Sequence, residues 1–130
     1  MIIKIEKNKL TPGVYQGYVE EITESTAQNG TKFLTLHFIL EDDKRKTYRL
    51  DKNFVRNSDK NYKLINFLEE LEILEDDGTV ELDYIKDFDF NVTVSADSVG
   101  KLYISDLSPI WDEDGGEDQE EVEDIDFEED

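Results

Sequence analysis

The sequence predicts a mainly β protein, a small five-stranded Greek-key barrel in the order β-β-β-α-β-β, followed by a disordered acidic tail. Three observations lead to this fold class. Five segments alternate apolar and polar residues with the period of strands, and turn residues separate them. One segment, between the third and fourth strands, has the spacing of an amphipathic helix. The chain end is almost entirely acidic, so we expect a folded domain over residues 1–111 and a disordered tail over residues 112–130.

The first two strands are predicted to form a hairpin. The first, Val14 to Glu24, is rich in β-branched and aromatic residues, and Gly17 within it indicates a sharp bend or a bulge. Asn29-Gly30 is a strong hairpin signal before the second strand, Thr31 to Glu41. That strand has two faces: Leu34, Leu36, Phe38 and Leu40 form the core face, and Phe33, Thr35, His37 and Ile39 form the outward face.

The third strand and the helix follow. Arg45 to Asp51 is predicted as a strand, after which a loop leads to the helix. Ser58 or Asp59 is expected to cap a helix that runs to Leu74 and ends before Asp76-Asp77-Gly78. Four apolar residues at i, i+3, i+4 and i+7 give this helix one buried face: Leu64, Phe67, Leu68 and Leu71.

The last two strands complete the barrel. After a connection over residues 79–87, Phe88 to Ala96 and Lys101 to Leu107 are predicted as strands four and five. Their inward residues are Phe88, Phe90, Val92, Val94, Leu102 and Ile104, and Tyr103 points outward. This element order is that of the oligonucleotide-binding (OB) fold, in which strands two and three, with the loops after strands one and four, form the usual ligand face.

The charge is distributed unevenly along the chain. The net charge of −20 argues against a phosphate-bearing partner, because nucleic-acid binding draws on Lys and Arg. The tail, however, carries 13 acidic residues and no base, so residues 1–111 carry only −7. The segment from Lys44 to Lys63 has eight bases and two acids, a local charge of +6. Because salt screens the rest of the field, this segment is expected to attract a polyanion, the alternative being solvated strand and loop ends.

Several function classes lack the residues that they need. The chain has no cysteine and one histidine, and it contains no glycine-rich phosphate loop. We therefore expect no enzyme activity and no cofactor or metal, although a carboxylate site assembled from Asp51, Asp83 and Asp106 stays an alternative. No apolar run approaches the ~18 residues of a membrane span, so we expect a cytoplasmic protein without membrane contact.

Four short motifs and the acidic end add a family resemblance. The motifs are Pro12-Gly13-Val14-Tyr15, the run from Gly30 to Phe38, Asn66-Phe67-Leu68 and Gly100-Lys101-Leu102-Tyr103. Together they resemble phage-encoded single-stranded DNA-binding proteins from viruses of Gram-positive bacteria. The resemblance implies an OB barrel that coats and protects single-stranded DNA during phage replication or recombination in the host cytoplasm.

The tail is expected to serve partner proteins. Asp124-Ile125-Asp126-Phe127 resembles the acidic ends of single-strand binders, although in those ends the aromatic residue stands last and here three acidic residues follow it. The resemblance implies that the tail recruits phage or host replication and recombination proteins. We also expect it to compete with DNA for the basic groove; the alternative is a tail that only adds solubility.

The candidate DNA-binding residues are aromatic stacking platforms and bases that follow the phosphates. They are Phe33 and His37 on the outward face of strand two, Lys46 and Arg49 at strand three, Phe54 and Arg56 in the loop after it, and Tyr103 on strand five. A core position for Phe33 or Phe54, a bystander role for His37 and cross-strand packing for Tyr103 are the alternatives. Trp111 is expected to cover the barrel edge.

A rival function is a protein-binding module, including an acidic decoy that imitates DNA and occupies a host enzyme. Such a decoy spreads its negative charge over folded surfaces, whereas here the acids concentrate in the tail and the bases in one segment. The preference for DNA over RNA and the pairing of two chains through an exposed barrel edge stay open.

Overall fold

The computed structural model describes residues 1–5 and 9–111. Within these residues the protein is mainly β, with five strands and one α-helix between the third and fourth strands, as the sequence predicts. The strands are β1 (Gly13–Thr26), β2 (Lys32–Glu41), β3 (Thr47–Val55), β4 (Asp89–Ala96) and β5 (Leu102–Ile110). The helix α1 is Tyr62–Glu70, and a 3-10 helix spans Leu82–Asp87.

The strands form one sheet in the order β3-β2-β1-β4-β5, and every neighbouring pair is antiparallel. Its two edges, β3 and β5, approach each other where Lys52 Nζ on β3 donates a hydrogen bond of 3.2 Å to the Ile104 carbonyl on β5. We call the line along which β3 and β5 approach the seam. This strand order, with a helix between β3 and β4, is consistent with an OB-like fold.

The core lies between the inward faces of the strands and α1. The four β2 residues that alternation assigns to the core are all buried. Phe38 meets Phe90 edge-on with ring centroids 5.6 Å apart, and Phe67 of α1 stacks between Phe54 at 5.1 Å and Phe90 at 5.8 Å. Burying each such side chain stabilises the fold by about 1.5–3 kcal/mol, so α1 is held against the barrel by its apolar face.

Gly17 and the bulge in β1 are separate features. The sequence predicts a bend or bulge at Gly17, but the register shift lies just before Glu21, where Glu20 is the extra residue. Gly17 is required for another reason: a Cβ at this position would lie 2.7 Å from Leu40 Cδ2 and 2.8 Å from the Ile39 carbonyl oxygen. The close approach of β2, rather than a bend, therefore selects glycine here.

Four tight turns within the described residues share one construction. In each, the first N–H donates to the carbonyl of the fifth residue, and the fourth N–H donates to the carbonyl of the first. The fourth residue has a positive φ, which costs a residue with a side chain about 1–2 kcal/mol. Gly30, Gly78 and Gly100 take this position in three turns, whereas the turn between β2 and β3 has Arg45 with φ 65°. The hairpin predicted from Asn29-Gly30 is confirmed.

The helical region is shorter than predicted, although its apolar face is buried as expected. α1 spans Tyr62–Glu70, and Glu72 just after it has φ 63°, which takes the backbone out of the helix. Leu74, the predicted last helical residue, instead pairs with Val80 in an isolated bridge. Asp76-Asp77-Gly78 therefore forms the turn of this bridge and not the end of the helix.

Other boundaries also differ from the prediction. β5 extends to Ile110 instead of ending at Leu107. β3 extends to Val55 instead of ending at Asp51, so Lys52 and Phe54 belong to a strand and not to a loop. The connection over residues 79–87 contains the 3-10 helix, which was not predicted, and its Ile85 is fully buried. Among the residues described, no helix is long and apolar enough to cross a membrane.

Candidate nucleic-acid interface

The outward residues of β2 and β3, together with those of β1, form a continuous surface that we call the outer face. Cross-strand pairing arranges one residue of each strand in rows. The rows are Ser25, Phe33 and Val55; Thr23, Thr35 and Asn53; Glu21, His37 and Asp51; and Tyr18, Ile39 and Arg49. Phe33, His37 and Arg49 therefore share one surface, as the alternation of residues in the sequence predicts.

Phe33 lies at one end of the outer face. It is half-buried, with Ser25 and Val55 as its cross-strand neighbours. Its ring is partly accessible to a stacked base, so its role as a stacking platform stays a prediction.

His37 links three strands. Its Nδ1 lies 2.8 Å from Asp51 Oδ1, and its Nε2 lies 2.9 Å from Thr23 Oγ1. Because a carboxylate only accepts hydrogen bonds, Nδ1 donates to Asp51, and the Thr23 hydroxyl is the hydrogen-bond partner of Nε2. Both ring nitrogens are engaged, and the side chain is only 13% exposed. A phosphate would have to displace one of these partners, which favours the bystander alternative for His37.

Arg49 projects from β3 into a group of carboxylates. It lies 3.8 Å from Glu20, 3.6 Å from Glu21 and 3.7 Å from Asp51, measured between nitrogen and oxygen atoms. Both glutamates reach it because the β1 bulge brings two consecutive side chains to one side. The arginine is half exposed, so each pair adds at most about 1 kcal/mol to stability. Locally, however, three acids outweigh one base.

Lys46 and Arg56 lie at opposite ends of β3. Lys46 is exposed at the end of the β2–β3 turn. Arg56 directly follows the strand and forms an ion pair with Glu24 of β1. Neither residue lies beside His37 in the middle of the outer face, so the predicted bases form no single cluster there.

The prediction for Phe54 is corrected by its position. Phe54 lies in β3 and not in a loop, points inward, and is 6% exposed. Its ring stacks on Phe67 of α1. A base has no free face of this ring to stack on, so Phe54 belongs to the core, which was the stated alternative.

The seam contains a groove of about 650 Å³ between β3 and β5. Three of its lining residues are bases, Arg49, Lys52 and Lys101, and only Asp51 is acidic. Tyr103 also lines it and is 46% exposed. We call this space the seam groove. It combines bases with an accessible aromatic ring, the two features that single-strand binding requires.

The predicted DNA-binding residues include neither Lys101 nor Lys52 of this groove. Lys52 is the partly buried one of the two. It occupies an inward position of β3, between Leu50 and Phe54 in the alternation, and its Nζ lies 5.6 Å from the centre of the Phe54 ring. Burial, and to a lesser degree the charge of Lys63, lowers the pKa of Lys52. Extending the alternation of the third strand by one residue beyond Asp51 identifies this inward lysine.

A second cleft, of about 640 Å³, lies at the barrel end near the β2–β3 turn. It is lined by two lysines, Lys9 and Lys44, and by three carboxylates that include Asp42. The backbone N–H of Lys46 is the main cause that lowers the pKa of Asp42, so this carboxylate is held ionised. With more acids than bases, this cleft is a poorer phosphate site than the seam groove.

The chain beyond β5 is described only at Trp111. Its ring meets Phe88 edge-on with centroids 5.5 Å apart, which agrees with the predicted packing at the barrel edge. The four predicted partner-binding residues, Asp124, Ile125, Asp126 and Phe127, lie outside the described residues.

Comparison with known proteins adds no further constraint. No protein-family model matches the sequence, and a search of curated proteins also found no match.

Proposed function

We propose that the protein binds single-stranded DNA without sequence preference and performs no chemistry. It coats and protects DNA during phage replication or recombination in the host cytoplasm. The observation that carries the proposal is the seam groove, where Lys52 and Lys101, which form no ion pair within 4.0 Å among the described residues, accompany the accessible ring of Tyr103. Bases stack on aromatic rings without regard to sequence, and lysines and arginines neutralise the phosphates between them.

The proposal changes the rank of the candidate residues. Tyr103 becomes the first stacking platform, and Lys52 and Lys101 become the first phosphate contacts. Phe33 extends the stacking surface at the end of the outer face. His37 holds the outer face together through its two hydrogen bonds.

The acidic tail acts on the same groove. Its carboxylates compete with DNA for the bases of the seam groove, and DNA binding releases the tail to recruit replication and recombination proteins. This part of the proposal rests on the composition of residues 112–130, in which 13 carboxylates are not balanced by any base.

One observation favours the second candidate, a protein-binding module or acidic DNA mimic. On the outer face, Glu20, Glu21 and Asp51 surround Arg49, so this part of the folded surface also carries excess negative charge. A host protein with a basic surface is the partner that fits such a face.

The test is fluorescence-polarisation binding of a labelled oligo-dT to the intact protein across a salt series. Single-strand binding predicts an affinity that falls with salt, with a slope of log K against log salt of about −0.7 for each phosphate contact. A version that ends at Trp111 is expected to bind more tightly, because it lacks the competing tail. Absence of binding by both versions at low salt excludes the proposal and favours the protein-binding alternative.

A further inference from the structure

A smaller pocket, distinct from the cleft near the β2–β3 turn, lies next to the seam groove on the side of α1. It encloses about 230 Å³ where β3, α1 and β5 meet. Lys52 lines both spaces, so the two lie next to each other on either side of this one side chain. The groove is lined by residues 49–53 of β3 and 101–104 of β5. The pocket is lined by later residues of both strands, 52 and 54 of β3 and 105–107 of β5. The two strands therefore run in the same direction along the seam.

The pocket brings together two ammonium groups. Lys52 reaches it from β3, and Lys63 reaches it from the first turn of α1. Within the part of the chain that the structure describes, no carboxylate oxygen lies within 4.0 Å of either ammonium nitrogen. Arg49 on the outer face, by contrast, has three carboxylates within that distance.

The ammonium group of Lys52 uses only part of its hydrogen-bonding capacity. An ammonium has three N–H donors, and the hydrogen bond to the Ile104 carbonyl uses one of them. Partial burial and the nearby charge of Lys63 both lower the pKa of Lys52, which means that its charged form is disfavoured where it stands. An anion placed between the two lysines would offset both effects, because an opposite charge favours the charged form of Lys52.

The remaining walls suit a phosphodiester. Asn66 of α1 lines the pocket with an amide that can donate hydrogen bonds, and the buried rings of Phe54 and Phe67 contribute its apolar part. The space is large enough for a phosphate and its sugar but too small for a folded partner. Glu70 and Asp106 also line it, so neutralising either carboxylate should strengthen the binding of an anion.

We propose that Lys52 and Lys63 form a phosphate-binding site in this pocket, and that a single strand in the seam groove continues along the seam to α1. The strand therefore follows β3 and β5 past Lys52 and does not turn onto the outer face, where three carboxylates surround Arg49. This inference rests on the proposed single-strand binding and adds the path of the strand.

The experiment measures oligo-dT binding to full-length variants across a salt series. Lys63→Gln changes an exposed residue and is expected to weaken binding about three- to tenfold at low salt and to reduce the salt slope by about 0.7. Glu70→Gln changes the opposite charge in the same pocket and should strengthen binding about two- to threefold. Lys86→Gln is the matched control, because Lys86 lies on the 3-10 helix and outside both spaces.

A second measurement does not depend on any variant. An amine-reactive acylating reagent is applied to the intact protein with and without oligo-dT, and the modified lysines are identified by mass spectrometry. The proposal requires that oligo-dT protects Lys52 and Lys63 and leaves Lys86 unchanged.

The outcomes separate the path from the function. If the intact protein binds but Lys63→Gln, Glu70→Gln and Lys86→Gln all match it in affinity and slope, the path along the seam is wrong and single-strand binding stands. If the intact protein does not bind oligo-dT at low salt, both the function and the path are overturned.

Discussion

The outer face and the seam groove share strand β3, yet they differ in whether their basic side chains are paired with carboxylates. Residues 47, 49, 51, 53 and 55 of β3 point to the outer face, and residues 48, 50, 52 and 54 point inward toward the seam and core. On the outer face, Arg49 and His37 are engaged by carboxylates of β1 and β3. At the seam, Lys52 has a backbone carbonyl as its hydrogen-bond partner.

This difference shows that a basic segment is not by itself a phosphate site. The run from Lys44 to Lys63 has a charge of +6 in the sequence, but the alternation of β3 distributes its bases over two surfaces. Arg49 on the outer face forms ion pairs with Glu20, Glu21 and Asp51, whereas Lys52 at the seam forms none within 4.0 Å among the described residues, although Glu70 and Asp106 also line its pocket. The location of the unneutralised charge, rather than the count of bases, decides where a polyanion binds.

The largest expected effect is the loss of the aromatic ring at the seam. Tyr103→Ala should weaken oligo-dT binding about 5- to 150-fold, because the stacking of one base on an aromatic ring contributes about 1–3 kcal/mol. Tyr84→Ala is the matched control, since Tyr84 is exposed to a similar degree, 54% against 46% for Tyr103, but lies on the 3-10 helix. Fluorescence-polarisation titrations with oligo-dT measure the affinity of both variants. If the two changes weaken binding equally, the seam is not the binding surface.

The outer face should respond in stability instead of affinity. His37→Ala removes the ring that joins Thr23 on β1 to Asp51 on β3, and we expect it to lower the free energy of unfolding by about 1–2 kcal/mol. Oligo-dT affinity should stay within about twofold of the parent protein. Urea denaturation followed by circular dichroism measures the first effect. A large loss of affinity without loss of stability would show instead that His37 contacts the DNA.

The same comparison shows which features of the fold and of the candidate site could be predicted from the sequence. Alternation of apolar residues correctly predicted the five strands, the helix face and the inward side chains of β2, because each of these patterns is local. The sequence reasoning ended β3 at Asp51, four residues early, since a lysine at an inward position interrupts the apolar alternation. That one boundary placed Phe54 in a loop and left Lys52 out of the candidate site.

Other features of the site depend on contacts between distant residues. The Glu20-Glu21 pair gives no sign in the sequence that a bulge turns both side chains toward Arg49. The hydrogen bonds of His37 likewise arise from the register of three strands. Neither arrangement can be derived until β1 is aligned with β2 and β2 with β3.

A turn outside both surfaces tests whether the number of bases matters. Arg45 has φ 65° in a turn whose three counterparts have glycine at the same position. Arg45→Gly should raise the free energy of unfolding by about 0.5–1 kcal/mol, the relief of left-handed strain less the greater backbone entropy of glycine. It also removes a base from the +6 segment, but oligo-dT affinity should change less than twofold. Gly100→Ala, with φ 85° at the equivalent position, is expected to change stability in the opposite direction.

The smallest expected effect concerns the stability cost of Lys52 itself. Because burial and Lys63 lower its pKa in the folded state, the folded protein binds fewer protons at this site than the unfolded chain between that lowered pKa and the ordinary value of 10.5. Stability therefore rises with pH across this window, and the charged lysine is destabilising below it. Lys52→Met should raise the free energy of unfolding at neutral pH by about 0.5 kcal/mol, and this advantage should shrink as the pH approaches 10.5. Urea denaturation of both proteins at neutral and alkaline pH measures the difference. If the variant is less stable than the parent at neutral pH, the hydrogen bond to the Ile104 carbonyl stabilises the fold by more than burial of the charge destabilises it. The role of Lys52 would then be to join β3 to β5 and not to bind an anion.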